Sequence, residues 1–231
     1  MLPFRRYGAI PDELPLRERK MAQARLDVLD AFLAMLAERP ATDIQVREIC
    51  KKAQISEPGF YNHFPEKDHL FLFFIQIWSV DMALRLQKRR GVDAIRRLFR
   101  ETASMSDAGG RLLLEVVSFQ ARRSVPELLS QWRPLNRIEK LLVFGDAPFD
   151  DLPDTGLGPL LQKAVSEAIH DSKPDESAYG NPGGDAKTIA LALAGLFFGL
   201  PVAMQGKSGS LSKAYDRAIL TFFPHTDRNI K

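Results

Sequence analysis

Apolar residues recur at helical spacing along most of the chain. Leu26, Leu29, Leu33 and Leu36 follow the i, i+3, i+7, i+10 spacing of one helix face, and this first helix is expected to end near Pro40. A second, shorter helix is predicted from Val46, Ile49, Cys50 and Ala53, and a third begins after Ser56, a residue type that caps helices. No run alternates apolar and polar residues as a half-buried strand does, so the pattern predicts an all-α fold.

The later part of the chain also predicts helices. A helix is predicted over 68–86, and its run from Leu70 to Leu84 is apolar nearly all round, which is typical of a helix buried on several sides. A turn is expected over 107–110, and loops over 145–158 and 171–184. Further helices are predicted around Val92–Thr102 and over 111–123, 127–143 with a restart at Pro134, 159–170, 188–200 and 211–223. We expect three segments: a flexible arm over 1–18, a three-helix domain over 19–67, and a larger C-terminal helical bundle over 68–225.

Composition excludes several classes of site. The chain has 231 residues and one cysteine, so it forms no intrachain disulfide and holds no CxxC metal site, and we expect Cys50 to be a core residue. No two of its four histidines lie at i, i+4 with a third ligand nearby, so we expect no metal and no cofactor. The longest apolar stretch, 189–204, contains Pro201 and is shorter than the ~18 residues of a membrane span. We therefore expect a cytoplasmic protein that does not enter the membrane.

The net charge of +3 favours an anionic partner only weakly. Residues 1–70 carry equal numbers of basic and acidic side chains, so any anion that binds there depends on local placement. The basic excess lies in 85–100, and we interpret it as a solvated helix face. Its residues are Arg85, Lys88, Arg89, Arg90, Arg96, Arg97 and Arg100, with Asp93 as the one acidic residue.

Residues 45–70 carry the strongest functional signal. Two short helices flank a turn at Gln54–Ile55, and Phe60 and Phe64 complete a small apolar core with the first helix. This is the architecture of a helix-turn-helix, whose second helix enters the major groove of DNA N-terminus first. The side chains expected to face the groove are Glu57, Pro58, Gly59, Tyr61 and Asn62.

The spacing of this segment resembles that of the TetR family of transcriptional regulators. The matching pattern is Ile49-Cys50-x-x-Ala53-x-Ile55-Ser56-x-x-x-Phe60-Tyr61-x-His63-Phe64-x-x-Lys67-x-x-Leu70. The resemblance implies a DNA-binding site in which 57–59 and 62 face bases and Tyr61, His63 and Lys67 contact phosphates, with Ser56 at the start of the helix. Two positions depart from the family: Gln54 stands where a turn glycine is usual, and Gln45 where a threonine is usual.

Two further sites are expected in the C-terminal segment. Small residues on an apolar helix permit close approach of a second helix, and the resembling family dimerises through its last two helices. The predicted dimer interface comprises Ala190, Ala194, Gly195, Phe198, Tyr215 and Ile219. Large adaptable side chains could also line a pocket for a small apolar effector. These are Trp78, Met82, Phe99, Met105, Phe119 and Trp132.

The leading hypothesis is a transcriptional repressor that binds a pseudo-palindromic double-stranded operator as a homodimer. A small apolar effector would release it from DNA. One alternative is a DNA-binding regulator without a small-molecule effector. The other is an all-α enzyme with an incidental helical hairpin, although the sequence shows no nucleophile–base pair, no paired carboxylates in an apolar setting and no cofactor motif.

Overall fold

The structure is a computed structural model that describes residues 14–109, 111–123, 133–171, 185–205 and 210–224, without the side chains of 105–109. Every regular element in these ranges is helical, which confirms the all-α prediction. The α-helices are α1 (Leu16–Leu36), α2 (Val46–Ala53), α3 (Glu57–His63), α4 (His69–Leu86), α5 (Gly91–Gly109), α6 (Arg111–Arg122), α7 (Arg137–Phe144), α8 (Leu157–Asp171), α9 (Ala186–Ala203) and α10 (Leu211–Phe222), and a short 3₁₀ turn, η1, covers Ala41–Asp43.

The chain divides into two compact units. Among the described residues, the first comprises those from 14 to 84 and from 109 to 154 and thus contains α1–α3, most of α4, α6 and α7. The second comprises those from 85 to 108 and from 155 to 224 and contains nearly all of α5 together with α8–α10. The sequence did not predict that α6 and α7 would pack with the N-terminal helices. The three segments expected from the sequence stay a prediction.

Aromatic side chains fill the core of the first unit. Phe32 of α1 meets Phe71 of α4 edge to face at 5.2 Å between ring centroids, and Phe71 stacks on Phe119 of α6 at 5.1 Å. Every α4 residue from Leu70 to Ala83 is buried, as its all-round apolar pattern predicts. Cys50 is buried as well, in agreement with its expected place in the core.

Several helix ends differ from the predictions. α1 begins at Leu16, so 16–18 are helical rather than part of an arm; residues 1–13 of that arm lie outside the described residues. α5 continues to Gly109, so most of the turn predicted over 107–110 is its last helical turn. α7 begins at Arg137, after Pro134, because Asn136 Oδ1 accepts a hydrogen bond from the Glu139 N–H at 2.8 Å.

Pro201 does not end α9, contrary to the sequence expectation. A proline lacks an N–H, so Pro201 cannot donate to the carbonyl of Phe197 four residues earlier. The hydroxyl of Tyr215, on α10, donates to that carbonyl at 2.6 Å instead. This bond and the ring contacts of Tyr215 with Phe99 and Phe197 bury the tyrosine completely, and burial raises the pKa of its hydroxyl. A side chain from another helix thus donates to the carbonyl to which Pro201 cannot donate.

The basic stretch over 85–100 forms ion pairs along exposed helix surface. Arg85 and Arg97 both contact Glu101, Arg89 pairs with Asp93 at 3.0 Å, and Arg100 reaches Asp216 at 3.1 Å. Exposed pairs of this kind contribute little stability, typically about 0–1 kcal/mol each. The pairs fit the interpretation of this stretch as a helix face in contact with solvent.

Candidate nucleic-acid interface

The turn between α2 and α3 has a left-handed backbone, a conformation that glycine adopts more easily than other residues. Gln54 has φ 58° and ψ 40°, and among the described residues it is the one non-glycine with positive φ. The Ile55 N–H donates to the Cys50 carbonyl at 3.0 Å, which closes the end of α2. A side chain with a Cβ is strained in this region, so the departure at Gln54 costs stability without changing the turn.

We expect Gln54→Gly to raise the free energy of unfolding by about 1 kcal/mol, because glycine adopts positive φ without the Cβ penalty. Urea denaturation followed by circular dichroism measures the change. Gln162→Gly is the matched control: Gln162 is exposed within α8, where glycine is expected to cost about 1 kcal/mol. A destabilised Gln54→Gly chain would contradict the strain at this turn.

Both helices of the hairpin are capped by side chains. The Gln45 N–H donates to Glu48 Oε2 at 3.0 Å, and Glu48 also accepts from Arg39 at 2.6 Å. The bond from Arg39 and the backbone bond lower the pKa of the Glu48 carboxyl. At α3, Ser56 Oγ accepts from the Gly59 N–H at 3.1 Å. The start of α2 is therefore stabilised by Glu48, even though Gln45 replaces the usual threonine.

α3 presents one exposed face. Glu57, Pro58, Tyr61 and Asn62 are exposed, whereas Phe60 is fully buried. At about 100° per residue, the four exposed positions span roughly 140° of the helix circumference. They include an acceptor carboxylate, a phenol and an amide, which are groups that can bond base edges or phosphates. Four of the predicted groove-facing residues therefore share one solvent-accessible surface.

The fifth predicted groove residue, Gly59, lies half-buried beside that face. A Cβ built at Gly59 would come within 3.1 Å of Ser56 Oγ, the atom that caps the helix. His63, also half-buried, has its pKa lowered by burial and then by the charge of Arg25. The cap formed by Ser56 therefore accounts for a glycine at position 59 without any DNA contact. His63 offers a phosphate one N–H of a neutral imidazole rather than a positive charge.

Lys67 does not point freely toward a phosphate, contrary to the role that the resemblance implied. Its Nζ donates to the carbonyls of Ala41 at 2.5 Å and Ile44 at 2.8 Å. These bonds use two of the three ammonium donors and fix the segment that leads into α2. Lys67 therefore stabilises the segment before α2, and at most one of its three donors remains for DNA.

Sequence reasoning missed a basic group on α2. Arg47, Lys51 and Lys52 are all exposed. In a helix-turn-helix the first helix crosses the DNA backbone, where Lys and Arg neutralise phosphates. The i, i+4 spacing of Arg47 and Lys51 places them on one side of the helix and was the signal available in the sequence.

Arg25 of α1 lies mostly in the interior, with 19% of its side chain exposed. Its guanidinium pairs with Glu139 of α7, and it lies over the rings of Phe73 and Phe64. Arg17 and Lys20, on the same helix, are exposed.

The other predicted sites are only partly assembled by the structure. Tyr215 and Ile219 are completely buried within their own chain, so they cannot form a dimer surface, which corrects that part of the expectation. Ala190 is buried as well, which corrects its place in the predicted interface, whereas Ala194 and Phe198 are half-buried and Gly195 is exposed. Of the predicted pocket residues, Trp78, Met82 and Phe119 are buried in the first unit and Phe99 in the second; the side chains of Met105 and Trp132 lie outside the described part.

Known proteins resemble this chain in sequence and fold. The sequence profile described as bacterial regulatory proteins, tetR family, matches residues 28–72, the segment that contains the hairpin. The HTH-type transcriptional regulator EthR of Mycobacterium tuberculosis is 27% identical over 139 residues, which cover 58% of this chain and 63% of EthR. The matched region thus spans less than two thirds of that relative.

Solved structures share the fold at lower identity. A TetR transcriptional regulator from Rhodococcus sp. RHA1 aligns with a TM-score of 0.58 at 15% identity, over 90% of this chain and 99% of the other. Thermus thermophilus FadR, a repressor solved with lauroyl-CoA, aligns with a TM-score of 0.56 at 17% identity, over 90% and 96%. At these identities the alignments establish a common fold.

Proposed function

We propose a function from the premise that this chain belongs to the TetR family: it binds double-stranded DNA with α2 and α3 and regulates transcription where it binds. The observation that carries the proposal is the exposed face of α3, formed by Glu57, Pro58, Tyr61 and Asn62. The basic residues of α2 supply phosphate contacts beside it. A regulator of this kind acts in the cytoplasm, on the bacterial chromosome, and the family assignment favours it over an enzyme.

Two single substitutions test the two halves of this interface. Asn62→Ala is expected to change which bases are preferred, at a cost of about 1–3 kcal/mol on the preferred sequence, because an amide can pair with an adenine edge. Lys51→Ala is expected to weaken all duplexes alike and to lower the salt slope by about 1 per monomer. Fluorescence anisotropy on duplexes selected from a random pool measures both effects.

Lys163→Ala is the matched control for the second substitution, because Lys163 is also an exposed helical lysine but lies on α8. It should leave affinity and salt slope unchanged. If Asn62→Ala weakened every sequence equally, Asn62 would not read bases. If wild-type protein selected no sequence from the pool, the proposed function would be wrong.

We further propose that the chain acts as a homodimer through the exposed side of α9. Leu191, Gly195, Gly199 and Val202 recur on one helix face, and Leu191 is 73% exposed. A Cβ built at either glycine meets no atom within 4 Å, so packing within the chain does not require glycine there. Each helical glycine costs about 1 kcal/mol, which close approach of a second α9 would explain.

A lipid surface is the competing partner for this face. By length and composition alone, α4 and α9 could each span a membrane, although the stretch containing Pro201 was expected to be too short. α4 is mostly buried in its own chain, whereas α9 is mostly exposed. We favour a second copy because apolar obligate interfaces need a large continuous face, and two-fold symmetry would match a pseudo-palindromic operator.

Gly195→Glu is expected to convert the dimer to a monomer, since it places a charge and bulk at the centre of the apolar face. Sedimentation velocity at micromolar concentration measures the state. Gly158→Glu is the control, because Gly158 is likewise helical with open space around its Cβ but lies at the start of α8. A wild-type chain that sediments as a monomer, or that binds phosphatidylcholine vesicles, would contradict the proposal.

Release from DNA by a small apolar effector completes the proposed function. The fold shared with FadR, whose structure holds lauroyl-CoA, supports this step. An effector shifts binding only by its preference for one conformation. Titration of the DNA complex with long-chain acyl compounds tests it: release supports repression with an effector, and no release across the series favours a regulator without one.

A further inference from the structure

A buried ion pair joins α1 to α7 within the first compact unit. Arg25 donates from Nη1 to Oε1 of Glu139, 114 residues away in the sequence. The Glu139 side chain is fully buried and that of Arg25 is 19% exposed. Neither residue belongs to the exposed face of α3, so the proposed DNA contacts do not explain the pair.

The guanidinium of Arg25 also contacts the end of α3. Its carbon lies 4.3 Å from the ring centroid of Phe73 and 5.2 Å from that of Phe64. Phe64 is the residue that ends α3, where its N–H donates to the Phe60 carbonyl at 2.8 Å. Arg25 therefore touches the residue at which the helix facing DNA terminates.

Glu139 is fixed by the start of its own helix. Its Oε2 accepts from the Asn136 N–H at 2.9 Å, and Asn136 in turn accepts from the Glu139 N–H. The adjacent Leu135 N–H donates to the buried carboxylate of Asp154 at 2.9 Å. The position of the Glu139 carboxylate thus follows the position of the first turn of α7.

We propose that Glu139 and Arg25 are positioning residues for DNA binding: the first turn of α7 places the Arg25 guanidinium, and the guanidinium places Phe64 and the C-terminal end of α3. A cation in an apolar interior cannot leave its carboxylate without a large cost, so the two helices move together. The inference rests on the proposed function insofar as α3 meets DNA. It implies that any event that displaces the start of α7 changes DNA affinity.

The test begins with a measurement that needs no DNA. Glu139→Gln keeps the size of the side chain and its ability to cap α7 but removes the charge that holds Arg25. His63 precedes Phe64 and its pKa is lowered partly by the charge of Arg25, so NMR titration of its imidazole reports where the guanidinium lies. Arg25→Met, which removes the charge, should raise the pKa of His63. Glu139→Gln should shift it in the same direction, because Arg25 then turns away.

The second measurement is affinity for the selected duplex. Glu139→Gln should weaken it by roughly 2- to 30-fold, the usual range for a residue that couples through others. Arg25→Lys, which keeps the charge but not the planar group, should weaken it similarly and serves as the second variant if Glu139→Gln does not fold. The control is Asp216→Asn, which breaks the exposed pair with Arg100 in the other unit and should leave affinity unchanged.

The outcomes separate this inference from the proposed function. A His63 pKa that is unchanged or lower in Glu139→Gln would show that Arg25 stays in place without Glu139, and would overturn the pair as a positioning device. A shifted His63 with wild-type DNA affinity would also overturn it. If wild-type protein bound no duplex, the proposed function would fail, and the His63 titration would still decide whether Glu139 places Arg25.

Discussion

Glu139→Ala is expected to lower the free energy of unfolding by about 3–5 kcal/mol, the usual cost of leaving one partner of a buried ion pair uncompensated. Burial lowers the pKa of the Arg25 guanidinium and raises that of the Glu139 carboxyl, so each ion depends on the other for its charge. The alanine also removes the acceptor for the Asn136 N–H. Urea denaturation monitored at 222 nm measures the loss.

The double variant Arg25→Met/Glu139→Leu separates the cost of a lone charge from the worth of the pair. Apolar residues of similar volume often replace a buried ion pair without loss of stability. We therefore expect most of the stability to return, while DNA affinity stays below that of the wild type because Phe64 has lost its charged neighbour. A double variant as unstable as Glu139→Ala would show that packing, rather than an uncompensated charge, sets the cost.

Two adjacent residues of α3 are expected to give opposite results. Phe60→Ala should lower the free energy of unfolding by about 3–5 kcal/mol, since it empties a fully buried position. The Phe60 ring packs against Phe64 at 5.7 Å, and Phe64 packs against Phe73 at 5.6 Å, so the cavity opens in the middle of the hairpin core. Denaturation measures this loss, and DNA binding should disappear with the folded hairpin.

Tyr61→Ala should change stability by less than about 1 kcal/mol, because the side chain is 52% exposed, yet it should weaken DNA binding. Its ring touches Phe60 at 5.4 Å, so some packing is lost and Tyr61→Phe controls for it. If Tyr61→Ala kept full affinity, the exposed face of α3 would not be the DNA-binding surface. If Phe60→Ala were as stable as wild type, the hairpin would not depend on this core.

The sequence alone determined what is periodic and local. Helical spacing identified the helices of the hairpin, and the order of residues from Ser56 to Asn62 determined which side chains share its exposed face. The left-handed backbone at Gln54 was indicated by one signal, the turn glycine that is usual at this position in the resembling family. In each case the interacting groups lie within a few residues, so their geometry follows from the helix repeat.

Only the tertiary structure decided which distant groups meet. Lys67 donates to the Ala41 and Ile44 carbonyls, Arg25 pairs with Glu139, and Tyr215 donates to the Phe197 carbonyl, to which Pro201 cannot donate. Each of these polar groups looks like a surface or interface residue from its own neighbours in the sequence. Its partner lies 18 to 114 residues away, and helical spacing carries no information about which helices pack together. Burial then makes the bonds of Glu139 and Tyr215 obligatory, because a polar group without a partner in the interior is costly.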